Sequence, residues 1–174
     1  MDRPFYKDLP LELGETLLLR RATGDDALRI LGDIREEDVE EWAASVADGI
    51  FWLENCLLQS TEAVSLVDKA SDVPIVIFGC IDRDRLPADI WMVASVFGPA
   101  RANVGWYLAI DWIKEFWKRW PDVHCNSDLR NTVHHRWLDW LKFERGPIRA
   151  WGVQGKPFIY FRRREPCVPQ HSEQ

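Results

Sequence analysis

Asp128 and His124 are the residues whose type and position best suit proton transfer. Asp128 stands where a short strand-like run, Val123 to Ser127, gives way to a helical stretch. Its carboxylate could take a proton from an amine directly or through water, although the simpler role there is to cap the helix. His124 shares a strand face with Asn126 and is a second, weaker base candidate. Asn131 opens the later helix, where it suits a cap or turn role. Residues 36–41 hold five carboxylates, at Glu36, Glu37, Asp38, Glu40 and Glu41. Such a run could bind metal or move protons, but it is more often a solvated helix face.

A metal site is not expected. His124 and Cys125 are neighbours that point to opposite faces of a strand, and no second pair matches them. His134 and His135 lie about 100° apart on a helix and cannot share one ion. The cysteines Cys56, Cys80, Cys125 and Cys167 lack Cys-x-x-Cys spacing, which fits free thiols in a reducing cytoplasm.

The elements that must position these groups run from residue 90 to residue 143. An apolar β-rich run, Ile90-Trp91-Met92-Val93-Ala94-Ser95-Val96, stops at Phe97-Gly98-Pro99 and re-forms as a long aromatic helix reaching Trp120. A second strand follows over residues 123–127, then a helix from about Asn131 to Leu141. A helix of that length makes a crossover, so the two strands are expected to be parallel and adjacent. Ligands in parallel sheets settle beyond the carboxyl ends of strands, where helix amides meet an anion. The turn over residues 97–103 is therefore the place for a small-molecule site. Arg101 and Asn103 there suit either a phosphate contact or a solvated first helical turn.

The rest of the chain supports one domain over residues 14–163, with an arm over 1–13 and a frayed tail over 164–174. Thr23 with Asp26 ahead of Leu28 and Ile30 reads as a capped helix start. The acidic stretch and the apolar spacing of Ile50, Leu53 and Leu57 give two further helical segments. Residues 63–67, 75–81 and 90–96 read as an antiparallel meander, and residues 148–162 as two last strands around a glycine turn. The formal charge of −6 and the absence of a basic block argue against nucleic acid. Arg162-Arg163-Arg164 reads as a solvated strand edge. No apolar run approaches the roughly 20 residues of a membrane span, and no signal segment is visible. Ten tryptophans exceed what a core can fully bury, so a self-interface, and with it a homodimer, is plausible.

The order strand, two helices, three strands, helix, strand, helix, two strands resembles the Gcn5-related N-acetyltransferase superfamily. More narrowly, five segments resemble the acetyltransferase-like family of short-tailed bacteriophages that includes an internal virion protein. They are Leu19-Arg20-Arg21-Ala22-Thr23, Ile34-Arg35-Glu36-Glu37-Asp38-Val39-Glu40-Glu41, Ile90-Trp91-Met92-Val93, Asp128-Leu129-Arg130-Asn131-Thr132-Val133-His134-His135-Arg136-Trp137-Leu138 and Gly155-Lys156-Pro157-Phe158-Ile159-Tyr160-Phe161-Arg162.

The resemblance implies an α/β fold: a mixed, mostly antiparallel twisted sheet with helices on both faces and a splayed central parallel pair. It implies acetyl-CoA in the splay, pantetheine on the backbone near Val93 and Ser95, diphosphate on the turn holding Gly98, Arg101 and Asn103, and Asn131 facing the pantetheine. The phosphate loop departs from the superfamily's spacing, and Leu138 falls where a proton-donating tyrosine is common. Two functions follow: acetyl transfer to an amine of a host protein or small molecule, or a scaffold that binds a host bacterial protein or joins the virion. Either would act in the host bacterial cytoplasm.

Overall fold

A computed structural model of the chain describes residues 9–82, 87–96, 107 and 109–164. An eight-stranded sheet runs through it in the order β1-β2-β3-β4-β5-β6-β8-β7. The strands are β1 Leu11–Leu13, β2 Leu17–Arg21, β3 Glu62–Asp68, β4 Val73–Ile81, β5 Ala88–Ala94, β6 Asp122–Asp128, β7 Glu144–Trp151 and β8 Lys156–Arg164. β1 lies within the stretch expected as an arm; it pairs with β2 and sends Leu13 into the core.

Five helices among the described residues cover the sheet: α1 Gly24–Leu31, α2 Glu36–Ser45, α3 Gly49–Gln59, α4 Ile110–Arg119 and α5 Thr132–Trp140. Three helices separate β2 from β3, because Gly32 and the Val46 to Asp48 stretch each break the helical path. The α1 start is a capping box: Thr23 Oγ1 accepts from Asp26 N–H, and Asp26 accepts from Thr23 N–H.

β3, β4 and β5 form the expected antiparallel meander. Their almost unbroken apolar runs follow from burial on both faces. On one face α4 and α5 pack Trp112, Phe116, Trp117 and Leu138 against Phe78, Ile90 and Val123. Burying one such aromatic side chain contributes on the order of 2–3 kcal/mol. On the other face α1 and α3 pack Ile30, Leu53 and Cys56 against Ile77, Trp91 and Val93.

The sheet changes direction at β5 and β6, which are parallel and neighbouring as the crossover required. They pair only at Ala88↔Val123 and Asp89↔His124 and then diverge. β6 turns instead to β8, with which it pairs along its full length. The gap left between β5 and β6 organises the candidate site.

One close approach fixes the wall of that gap. Gly79 lies beneath the Trp91 indole, and a Cβ there would sit 2.3 Å from the ring. Trp91 Nε1 donates to Ser60 Oγ at 2.9 Å, which ties the indole to the end of α3. Gly79→Ala should therefore destabilise the fold by about 1–3 kcal/mol through overpacking, measured as a lowered urea midpoint. An unchanged midpoint would show that the indole can move aside without loss.

Candidate functional site

α2 spans the open end of the gap. Its first turn carries Glu36, Glu37 and Asp38, which suit the positive end of a helix. Asp38, Glu41, Trp42 and Ser45 fall on one face at helical spacing and line a cleft of about 500 Å³. Glu36, Glu37 and Glu40 are exposed on the other side, as a solvated acidic face should be.

Each end of the helix is tied down. Asp38 is buried and accepts from Arg35 Nε at 3.0 Å and Nη2 at 2.7 Å, a charge pair with both partners nearly dry. Its Oδ2 also accepts the Ala94 N–H of β5 at 3.0 Å, while Arg35 N–H donates to the Ala94 carbonyl at 3.1 Å. At the other end the turn between β7 and β8 satisfies the last carbonyls of α2. Val153 N–H reaches Ser45, Gln154 N–H reaches Ala44, and Gln154 Nε2 reaches Ala43. Gly152 makes this possible: its φ is +70°, and a Cβ would lie 2.3 Å from the Ala44 carbonyl oxygen.

Glu41 lies between these ties. Its carboxylate accepts from Asn131 Nδ2 at 2.9 Å, Ser127 Oγ at 3.1 Å and the Asp128 N–H. Burial pushes it up to about 7; Asp38 adds to the rise, and the donors oppose it without cancelling it. Ser127 Oγ also lies 3.3 Å from His134 Nδ1, whose burial drops that imidazole to about 3. The buried chain Arg35–Asp38–Asn131–Glu41–Ser127–His134 therefore joins α2 to the end of β6 and the start of α5. It holds one acid whose burial raises it to about 7.

The sequence-predicted residues fall into three sets. Asn131 has the cap role: Oδ1 caps α5 through His134 N–H, while Nδ2 donates to Asp38 and Glu41. Asp128 is 1% exposed and its oxygens are taken by Arg130 N–H, Nε and Nη2 at 2.8–3.0 Å. Burial raises this acid, but the Arg130 bonds outweigh it and hold it below the usual carboxylate range. His124 lies at the floor of the cleft, with Nε2 2.6 Å from Asp89 Oδ1 at the last paired register of β5 and β6.

Val93 and Ser95 belong to the second set, set by strand alternation. Ser95 N–H donates to the Ile75 carbonyl, so Val93 and Ser95 turn their peptide groups toward β4, whereas Met92 and Ala94 turn theirs toward the gap. Ala94 is occupied by Arg35 and Asp38, which leaves Met92 as the residue presenting main chain to the cleft. Ser95 Oγ is buried and has no hydrogen-bond partner among the described residues. The open strand edge at Met92 fits a thioester carrier with amide groups. Gly98, Arg101 and Asn103 form the third set and lie outside the described residues.

Glu41 and Asp38 were hidden in the acidic run. The signal that could have found them is the 38, 41, 42, 45 spacing, which puts these two carboxylates on the same helix face as Trp42. Among the described residues no group of His, Cys, Asp and Glu could hold a metal ion, and no helix is long and apolar enough to cross a membrane. Cys56, Cys80 and Cys125 are buried free thiols, and burial pushes Cys56 up to about 12.

A twisted, mostly antiparallel sheet with one splayed parallel pair is the fold of the Gcn5-related N-acetyltransferases, and solved structures similar to this chain include acetyltransferases. The NatC complex bound to Gag peptide and CoA matches with TM-score 0.62 at 10% identity, over 87% of this chain and 100% of that one. Ribosomal-protein-S5-alanine acetyltransferase from Vibrio fischeri matches with TM-score 0.61 at 15% identity, over 87% of this chain and 97% of that one. A Gcn5-related N-acetyltransferase from Brucella melitensis matches with TM-score 0.59 at 13% identity, over 86% and 76%. At such identities the likeness establishes the fold. No family model matches the sequence, and no curated protein does.

The two displaced titrations have opposite signs. Glu41 rises from 4.5 to about 7, so its contribution to stability is full below 4.5 and is lost as pH rises through about 7. His134 falls from 6.5 to about 3, so its contribution is present above 6.5 and is lost as pH falls toward 3. Taken relative to Glu41→Gln at each pH, urea midpoints of the native chain should decline as pH rises from about 4.5 to about 7 and level off above that. Identical profiles for the two proteins would refute the raised acid.

Proposed function

We propose that this protein transfers an acetyl group from acetyl-CoA to an amine, with Glu41 as the proton acceptor. The observation that carries the reading is the gap between β5 and β6, because it opens on a cleft walled by an acid poised near neutrality. Acetyl-CoA would supply the acyl group as a thioester, whose C–S bond breaks as the C–N bond forms and whose sulfur leaves as the thiol. The protein's part is to bind, orient and move protons.

Met92 main chain would hold the amide-bearing arm along β5. Gly98, Arg101 and Asn103 are proposed to bind the diphosphate. Glu41 would take one proton from the incoming ammonium, and the neutral amine nitrogen would be the nucleophile. The second nitrogen proton leaves with the sulfur or through water, since Leu138 has none to give. In this proposal Asn131 orients Glu41, Asp128 supplies it an N–H, and the Asp89–His124 pair is a second proton acceptor at the cleft floor.

A specific observation favours a second reading. Asp38 and Arg35 already occupy Ala94, one residue pair beyond Met92 along the edge a cofactor would follow. A phage-encoded protein of this fold that engages a host bacterial protein, or joins the virion, would need no turnover and could keep that edge closed. It would work in the host cytoplasm.

Calorimetry with acetyl-CoA, followed by thiol release in the presence of amines, tests the first reading. The expected result is micromolar binding and a rate that rises with pH through about 7, while Glu41→Gln lowers turnover by about 10²-fold with binding unchanged. No heat at millimolar acetyl-CoA would sink it and leave the second reading.

A further inference from the structure

Two kinds of side chain line the cleft, and both bear on what the acceptor is. One kind is aromatic. Trp42 and Trp52 lie with ring centroids 5.3 Å apart, Trp52 meets Trp91 edge-on at 6.2 Å, and Trp151 stands half-exposed at the mouth. The other kind is acidic: Glu41 from α2 and Asp89 from β5, the latter paired with the His124 imidazole at 2.6 Å. Asp38 is already neutralised by Arg35, and His134 at about 3 carries no opposing positive charge near neutrality. Indole faces and carboxylates together attract an alkylammonium, and the indoles also bury an apolar body attached to it.

The roof of the cleft limits its size. The turn between β7 and β8 is bonded to Ala43, Ala44 and Ser45, the last residues of α2, through two main-chain N–H groups and the Gln154 amide. Gly152 touches the α2 backbone closely enough that no Cβ would fit. A polypeptide needs a through-running groove for the residues that follow its reactive nitrogen, and this contact closes the cleft on that side. A volume of about 500 Å³ is in the range of small-molecule sites.

We propose that the acceptor is a small free amine carried on an apolar body, its ammonium between Glu41 and Asp89 and its body against Trp42, Trp52 and Trp151, and that a polypeptide end is excluded. This inference rests on the acetyltransferase reading for the word acceptor, but the binding it describes does not depend on turnover.

The test is therefore binding without cofactor, read by tryptophan fluorescence and by calorimetry. The probes are hexylamine, its uncharged isostere hexanol, and a pentapeptide with a free N-terminus. Hexylamine should bind about 10-fold more tightly than hexanol, and the peptide should not compete. Trp42→Ala should weaken hexylamine by about 5-fold, and Gln154→Ala, which loosens the roof, should let the peptide bind measurably. Equal affinity for hexylamine and hexanol, or peptide binding as tight as hexylamine by the native protein, would overturn the proposal. The two readings fail separately. Hexylamine bound but never acetylated removes the transferase and keeps the site, whereas a peptide acetylated while hexylamine is ignored keeps the transferase and removes the small acceptor.

Discussion

The structure depends on how the main chain of β5 is satisfied after β6 leaves it. Once two neighbouring strands diverge, each faces the gap with peptide groups that have no ladder partner, and a buried orphan costs about 1–3 kcal/mol. Here α2 supplies the missing partners at Ala94: a carboxylate for the N–H and the Arg35 amide for the carbonyl. The splay is stable because a helix start fills its far end, and the near end stays open as a cleft.

That solution brings two acids of one helix turn into the same enclosed space, and they cannot both be cheaply ionised. Asp38 has a guanidinium against it, and Asn131 and Ala94 bond it further, so its charge is balanced. Glu41 has only neutral donors. The proton therefore goes to Glu41, and an acid near neutrality follows from the way the gap is closed. The far constraint matters equally. Without the turn at Gly152 capping its last carbonyls, α2 would end in unsatisfied groups and its face would lose a fixed angle to the sheet.

The legible parts of this fold were the periodic ones. The three-strand meander, the crossover, the parallel neighbours and the Thr23 cap could be read because each depends on local spacing. His124 lines the cleft, and Asn131, buried at the start of α5, bonds two acids of α2. Glu41 was missed because an acidic run has the same composition whether water or protein covers one side of it. Only the placement of α2 across the gap, a tertiary fact, separates Glu41 from Glu40, which is exposed and paired with Arg130 on the outer face. β1 was missed for the converse reason: Leu11–Leu13 is too short to show a period, and only its pairing with β2 makes it a strand.

The occupied edge at Ala94 and the open edge at Met92 bear on the two functional readings together. A carrier that extends along β5 must either stop before Ala94 or displace Asp38 from its N–H. Displacement is costly, because Asp38 would leave a nearly dry Arg35 without its partner, and breaking such a pair costs about 3–5 kcal/mol. Binding energy spent there would be lost from affinity. A carrier that turns away after Met92 avoids that cost, keeps Asp38 and Asn131 in place, and leaves Glu41 facing the nitrogen that must lose its proton. The same buried pair that would make a fully extended cofactor weak thus preserves the geometry that an acceptor amine needs.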